Sequence, residues 1–310
     1  MYRIRDNRAG RCSRSGAALR GRMLTALAPV RPSNLAGLAS LMAGPRPVHF
    51  IAGGTDLLVS GRRLPETGVI VDLSAVAELI GIDCSGADIR IGSATTVASL
   101  EAHAGLAARC AALAQAAAEC GSVQIRNRAT IGGNVANGAA AADLIPVLAL
   151  VGARLEVMLR GGVRTEIALG DFQPKTGGLI TAVVLPGRAL LPRSAFAKLG
   201  ARRDLTISRL NMAATAEFVE SRFRALQIVA GALGPRPLRL NRAEEALEGR
   251  TLDPDSLRGF MQVLSTEVDA AIPGRASHAW KRRAIRGVGL DLIARLCGLS
   301  PRDPVFEEAL

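Results

Sequence analysis

The chain has 310 residues, 49% of them hydrophobic and 21% charged, which is enough apolar material for two or three packed units and too much for a chain disordered over most of its length. Its formal net charge of +12 is unevenly placed: residues 1–22 hold Arg3, Arg5, Arg8, Arg11, Arg14, Arg20 and Arg22 against Asp6 alone, and supply +6 of it. Aromatics make up only 3%, with Tyr2 the sole tyrosine and Trp280 the sole tryptophan, so the body lacks the rings on which bases stack and a nucleic-acid partner is not expected.

The segment 1–22 is expected to be a disordered basic leader. It reads as an arm, as an organelle transit peptide, or as an extension ahead of a true start at Met23, and the last is favoured because a patterned domain opens soon after Met23. Residues 23–30 are too short and too weakly apolar for a secretory h-region. The longest low-charge stretch, 129–153, carries Asp143, Pro146 and several glycines, so no transmembrane segment is expected.

In chain order, 32–44 predicts a short amphipathic helix capped by Ser33 or Asn34. Residues 48–51 predict a strand running into Gly53-Gly54; 69–73 and 89–94 predict two more. Leu106, Cys110, Leu113 and Ala117 fall at helical spacing and predict one long helix over 99–120, stopped by Gly121. A glycine-rich turn over 130–138 and a helix over 143–150 follow. Residues 155–159 and 163–169 flank Gly161-Gly162 as a hairpin, and 185–192 reads as a linker. Strand-like runs at 211–219 and 224–230 lead into helices near 242–249, 255–270 and 278–296. Strands and helices mix without the alternation of a doubly wound sheet, which makes the fold class α+β in at least two domains.

The five cysteines (Cys12, Cys84, Cys110, Cys120 and Cys297) are scattered, with no C-x-x-C pair. They predict free thiols, a reducing, cytoplasmic setting and no iron–sulfur cluster in this chain. His49, His103 and His278 are isolated, and no metal site is expected.

Two glycine segments carry chemistry: Ala52-Gly53-Gly54-Thr55-Asp56-Leu57-Leu58 directly after a strand, and Thr130-Ile131-Gly132-Gly133-Asn134. Paired glycines permit positive φ and close approach of an oxygen-rich ligand, and successive N–H groups form a nest for an anion such as a diphosphate. A Gly-Gly pair alone also fits an ordinary tight turn. Neither G-x-G-x-x-G nor a G-K-[ST] loop is present, which disfavours a Rossmann or P-loop site.

Taken together, Phe50-Ile51-Ala52-Gly53-Gly54-Thr55-Asp56-Leu57-Leu58, then Gln124-Ile125-Arg126-Asn127-Arg128-Ala129-Thr130-Ile131-Gly132-Gly133-Asn134, then Asp143-Leu144-Ile145-Pro146 resemble the FAD-binding subunit of the xanthine dehydrogenase and carbon monoxide dehydrogenase family of molybdenum hydroxylases. The likeness continues through Ile180-Thr181-Ala182-Val183-Val184-Leu185-Pro186, Phe196-Ala197-Lys198-Leu199 with Arg202-Arg203, and more loosely Gly234-Pro235-Arg236-Pro237 and Trp280-Lys281-Arg282-Arg283. It spans about residues 23–296.

The resemblance implies a vanillyl-oxidase-like (PCMH-type) FAD-binding domain over 23–188, in subdomains of about 23–80 and 81–188. An α+β C-terminal domain of the CO dehydrogenase flavoprotein type would follow over 194–300. It implies that Ile51, Ala52, Gly53, Gly54, Thr55, Asp56 and Leu57 wrap the FAD pyrophosphate from one side and Thr130, Ile131, Gly132, Gly133 and Asn134 from the other. By the same resemblance Asp143 accepts from the adenosine ribose, although a helix N-cap fits that residue equally. Ile180 would pack on the flavin and Lys198 would lie near the isoalloxazine, with an exposed surface lysine as the plain alternative. Cys120 falls where some relatives place a ring contact. No general acid, base or nucleophile is implied.

The implied partners are a molybdenum-cofactor large subunit and a 2Fe-2S small subunit, as a dimer of heterotrimers. The chain would take electrons from the iron–sulfur clusters and pass them to NAD+, a quinone or dioxygen. A self-sufficient FAD-dependent oxidoreductase, or a scaffold subunit that has lost flavin, are the alternatives. Residues 171–179 are shorter than usual in the family, with Gly178 near an often acidic position. Without a ring tyrosine, Phe172, Phe196 or aliphatic groups would have to cover the flavin.

Overall fold

The computed structural model describes residues 29–59, 65, 67–173, 178–191, 193–202 and 206–310. The expected leader at 1–22, Met23, Arg203 and the middle of the 171–179 loop lie outside the described residues. The architecture is α+β.

A small N-terminal layer comes first. Helix α1 (Leu35–Ala43) starts where Asn34 takes the Gly37 N–H on its side chain, so of the two candidate caps Asn34 is the one used. It buries Leu38 and Met42 against β1 (Val48–Ile51) and β2 (Val69–Asp72), which pair in parallel. Met158 and Leu179 from the next unit complete that core.

The second unit is a five-stranded antiparallel sheet in the order β3-β4-β7-β5-β6, from β3 (Ile82–Asp83), β4 (Ile89–Gly92), β5 (Arg154–Met158), β6 (Arg164–Ala168) and β7 (Leu179–Leu185). The helix expected over 99–120 is three short ones: α2 (Val97–Ala102), α3 (Ala104–Arg109) and α4 (Ala111–Ala118). Leu106, Cys110, Leu113 and Ala117 are all buried, so periodicity gave the right face. The chain turns at His103, whose Nδ1 accepts the Leu106 N–H and replaces a helical carbonyl, and again at Cys110, with φ −149° and ψ 74°. Gly121 follows at φ +62°. A short α5 (Val123–Arg126) precedes α6 (Ile131–Asn137), which stands where a turn was expected, and α7 (Leu144–Leu150) buries Leu144, Pro146, Val147, Leu148 and Leu150.

The supposed linker at 185–192 holds only a short 3-10 turn, Gly187–Ala189, before β8 (Arg193–Gly200). Strands β9 (Ser208–Val219), β10 (Arg222–Gly231) and β11 (Leu238–Arg239) join it in a four-stranded antiparallel sheet, order β11-β10-β9-β8. Helices α8 (Asn241–Leu247), α9 (Pro254–Ala271), α10 (His278–Cys297) and α11 (Pro304–Glu307) complete the chain.

Both faces of this last sheet are covered. Register places Phe196, Ala213 and Val229 side by side on one face, packed into the core of the second unit. One residue along each strand, Ala195, Ala214 and Ile228 turn to the other face and the α8–α10 core. Hence β9 is buried almost without interruption and shows no alternation to read. The β8 edge is closed as well: the Phe196 N–H donates to Gln115 of α4 at 2.8 Å, and its carbonyl accepts from Arg295 at 2.8 Å.

Phe196 is wholly buried in a protein core, which removes it as a cover for a flavin ring. Phe196→Ala is expected to cost about 3–5 kcal/mol through the cavity it leaves, read as a lowered denaturation midpoint. A loss below about 1 kcal/mol would refute the packing role assigned to this ring.

Candidate functional site

The chain leaves β1 at Ala52, and Gly54 turns it at φ +71°, a conformation that needs glycine. Gly53 is constrained differently. A Cβ on it would lie 1.7 Å from the Arg128 carbonyl oxygen and 3.0 Å from the Ala129 nitrogen. The first glycine segment therefore rests directly on the backbone that leads into the second. Asn137, at the far end of α6, donates from Nδ2 to Asp56 Oδ1 at 3.2 Å and ties the two again.

The second segment is anchored from beneath. The Val97 N–H donates to Ala129 O, Ile131 N–H to Thr95 O and Gly132 N–H to Ser93 O, at 2.8, 3.1 and 2.8 Å. Gly132 is needed for contact and not for turning: its φ is not positive, and a Cβ would sit 2.6 Å from Ser93 Cβ. Thr130 then caps α6, its Oγ1 accepting from the Gly133 N–H at 3.1 Å.

This accounting corrects one expectation. The amides of Ile131, Gly132 and Gly133 already have acceptors, so the second segment is not a nest of free donors. A good N-cap residue and a strand-like pairing with 93–97 win over the turn that glycine suggests. In the first segment, by contrast, the amides of Gly53, Gly54 and Thr55 make no hydrogen bond among the described residues.

Between the segments lies a cavity of about 110 Å³. Ala52, Thr130, Gly132, Gly133 and Ile180 line it, together with Phe50, Leu73, Ser93, Ala136, Gly178 and Leu179. Five of the residues expected at the site thus face one space. Ser93 was not anticipated. It is 4% exposed, and its Oγ is buried without a partner, as is Asn134 Oδ1. An orphaned hydroxyl in a wall costs about 1–3 kcal/mol unless something accepts from it or donates to it. The only sequence signal of Ser93 was the Gly-Ser at the end of β4. At about 110 Å³ the cavity takes a fragment of a dinucleotide and not the whole, since sites for whole ligands run to several hundred Å³.

Asp143 and Lys198 do not line this cavity; they form a second cluster. Lys198 Nζ donates to Asp143 Oδ2 at 3.0 Å, and both side chains are 7% exposed. The ammonium also donates to the carbonyls of Glu119, at 2.5 Å, and Thr206, at 3.3 Å, so its three protons are used. Asp143 Oδ1 accepts from Ser208 Oγ at 2.5 Å and Asn211 Nδ2 at 3.1 Å. Its side chain makes no capping bond to α7, and Lys198 is no surface lysine. Beside them, burial pushes the Cys120 thiol up to about 11, with Asp143 adding to the rise, so this sulfur stays protonated and unreactive at neutral pH.

Comparison with known proteins gives the family. The model described as "FAD binding domain in molybdopterin dehydrogenase" matches residues 25–188, and the "CO dehydrogenase flavoprotein C-terminal domain" matches 195–295. The nicotinate dehydrogenase FAD-subunit of Eubacterium barkeri is 28% identical over 78% of this chain and 86% of its own. The xanthine dehydrogenase FAD-binding subunit of Escherichia coli O157:H7 is 29% identical over 83% of this chain and 91% of its own. Among solved structures, quinoline 2-oxidoreductase from Pseudomonas putida 86 shares the fold, with a TM-score of 0.76 at 22% identity, covering 88% of this chain and 97% of that one.

The buried pair generates a stability test. Asp143→Ala leaves the Lys198 ammonium enclosed without its counter-charge and is expected to cost about 3–5 kcal/mol. Adding Lys198→Met should recover part of that loss in chemical denaturation. A double variant less stable than Asp143→Ala alone would show that the pair does not hold the fold as described.

Proposed function

The chain belongs to the FAD-binding subunits of the molybdopterin dehydrogenases, and from that membership we propose how its residues hold the flavin and where the electrons go. It is an oxidoreductase subunit of a molybdenum hydroxylase complex, with FAD as its cofactor. Bound FAD supplies two-electron redox chemistry; the protein contributes placement and electrostatics.

We assign the pyrophosphate to the space between the glycine segments. The observation that carries this is the contact of Gly53 with the Arg128 backbone, which makes two segments far apart in sequence into the walls of one cavity. The unbonded amides of Gly53, Gly54 and Thr55 supply donors for phosphate oxygens, and Ser93 Oγ supplies another. Ile51, Ala52, Asp56 and Leu57 shape the first wall. Thr130, Ile131, Gly132, Gly133 and Asn134 form the second, chiefly by letting backbone approach without a Cβ. Ile180 gives an apolar surface beneath the ligand. Asp143 and Lys198 act as a pre-formed neutral unit beside the cofactor, the carboxylate oriented by Ser208 and Asn211.

In the proposed assembly the flavin domain spans 23–188 in two subdomains and the C-terminal domain spans 194–300. The partners are a molybdenum-cofactor large subunit and a 2Fe-2S small subunit, arranged as a dimer of heterotrimers, with NAD+, a quinone or dioxygen as acceptor. Cys84, Cys110, Cys120 and Cys297 are free thiols, which supports a reducing, cytoplasmic setting.

The purified full chain is expected to be yellow and to release about one FAD per chain. Gly133→Val tests the cradle. Gly133 is exposed on the cavity wall, so the variant should keep its circular dichroism while losing nearly all its flavin. Unchanged flavin content would contradict the site. Co-purification with a cysteine-rich chain and a large molybdenum subunit tests the assembly.

A further inference from the structure

Strand β6 ends the five-stranded sheet and pairs with β5 alone. Its register with β5 decides where its backbone groups point. The Leu159 N–H donates to Val163 O and the Leu169 N–H to Ala153 O, at 2.7 and 3.0 Å. The closely bonded pairs with β5 therefore fall at Val163, Thr165, Ile167 and Leu169. The N–H and C=O groups of Arg164, Glu166 and Ala168 face away from β5. All three residues are exposed, and those groups make no hydrogen bond among the described residues.

Sheet edges are commonly blunted by a proline, a lysine or a bulge. Strand β6 has none of these, and its pairing with β5 runs without a shift. Its side chains alternate between two faces. Arg164 and Glu166 stand on the outer face. Arg164 forms no ion pair among the described residues, and Glu166 gives one oxygen, Oε1, to Arg154. Val163, Thr165 and Ile167 stand on the core face, where Ile167 packs against the second unit while Val163 is 61% exposed.

We propose that β6 is a docking edge for a second copy of this chain, with the two β6 strands antiparallel about a two-fold axis at Thr165, so that the sheet continues from one protomer into its partner. In that register Arg164 stands opposite the partner's Glu166, and Glu166 opposite the partner's Arg164. Val163 meets the partner's Ile167, and Thr165 meets the partner's Thr165. Opposite charges, apolar pairs and paired threonines are the cross-strand neighbours that stabilise a sheet. The outward backbone groups of Arg164 and Glu166 bond each other across the axis. Moving the axis one residue, to Arg164 or Glu166, sets like charges face to face, so the strand's own sequence selects the register. A self-complementary contact of this kind closes on itself. None of its residues lines the glycine cradle, so it stands apart from the flavin assignment.

Sedimentation of the full chain carrying its flavin should show a reversible monomer–dimer equilibrium. Arg164→Glu opposes carboxylates on both sides of the axis and should weaken the dimer by about tenfold or more. Arg164 is exposed and unpaired among the described residues, so circular dichroism and flavin per chain should stay unchanged in that variant. Adding Glu166→Arg restores opposite charges and should bring the dimer back. Thr165→Cys reads the register, because facing residues at a widely bonded position lie about 4.5 Å apart at Cα, within disulfide reach. Mild oxidation should join two copies of this variant and not of the parent chain. A chain that stays monomeric up to about 1 mM overturns the proposal. So does a dimer indifferent to Arg164→Glu, a double variant that fails to re-form it, or a Thr165→Cys chain that does not cross-link.

Discussion

The proposed cofactor cradle depends on one close approach, that of Gly53 to the Arg128 carbonyl. Backbone meeting backbone at that distance leaves no room for any side chain, and it decides where β1 can aim the segment that follows. Once those two stretches touch, Gly132 must come down on Ser93, Thr130 must stand at the start of α6, and Asn137 reaches Asp56. The site is thus fixed largely by main-chain packing. Such a site is pre-organised by the same contacts that fold the unit, so binding need not meet a large ordering cost.

A second constraint joins the halves of the molecule. Asp143 opens α7 in the first half, whereas Lys198, Ser208 and Asn211 stand on or beside the C-terminal sheet. A carboxylate and an ammonium, both withdrawn from water, are tolerable only because each is bonded several times over. The arrangement holds α7 in one relation to β8 and β9 where apolar packing alone could slide.

Much of this was legible before any coordinates. The Gly-Gly pairs, the order of motifs and the mixed strand and helix pattern gave the fold class and placed five cavity residues. What stayed hidden has physical causes. A run of Ala and Leu looks like one helix until His103 supplies a side-chain acceptor that ends it. Glycine suggests a turn at 132–133, but it serves equally where a helix must lie against another chain segment, and composition does not separate the two uses. Strand β8 was missed because a strand covered on both faces shows no alternation, and its Lys198 reads as polar surface. Ser93 carries no motif; only its position makes the hydroxyl matter.

The double covering of the β8–β10 sheet bears on how the molecule has been divided in descent. The two inherited modules meet near residue 190, as the family boundaries at 188 and 195 indicate. Yet Phe196, Ala213 and Val229 belong to the core of the earlier module although they are encoded in the later one. Separating the pieces would strip an oily plate from one and uncover a hollow in the other. The seam is therefore one of ancestry and not of cooperativity, and the full chain should melt in a single transition.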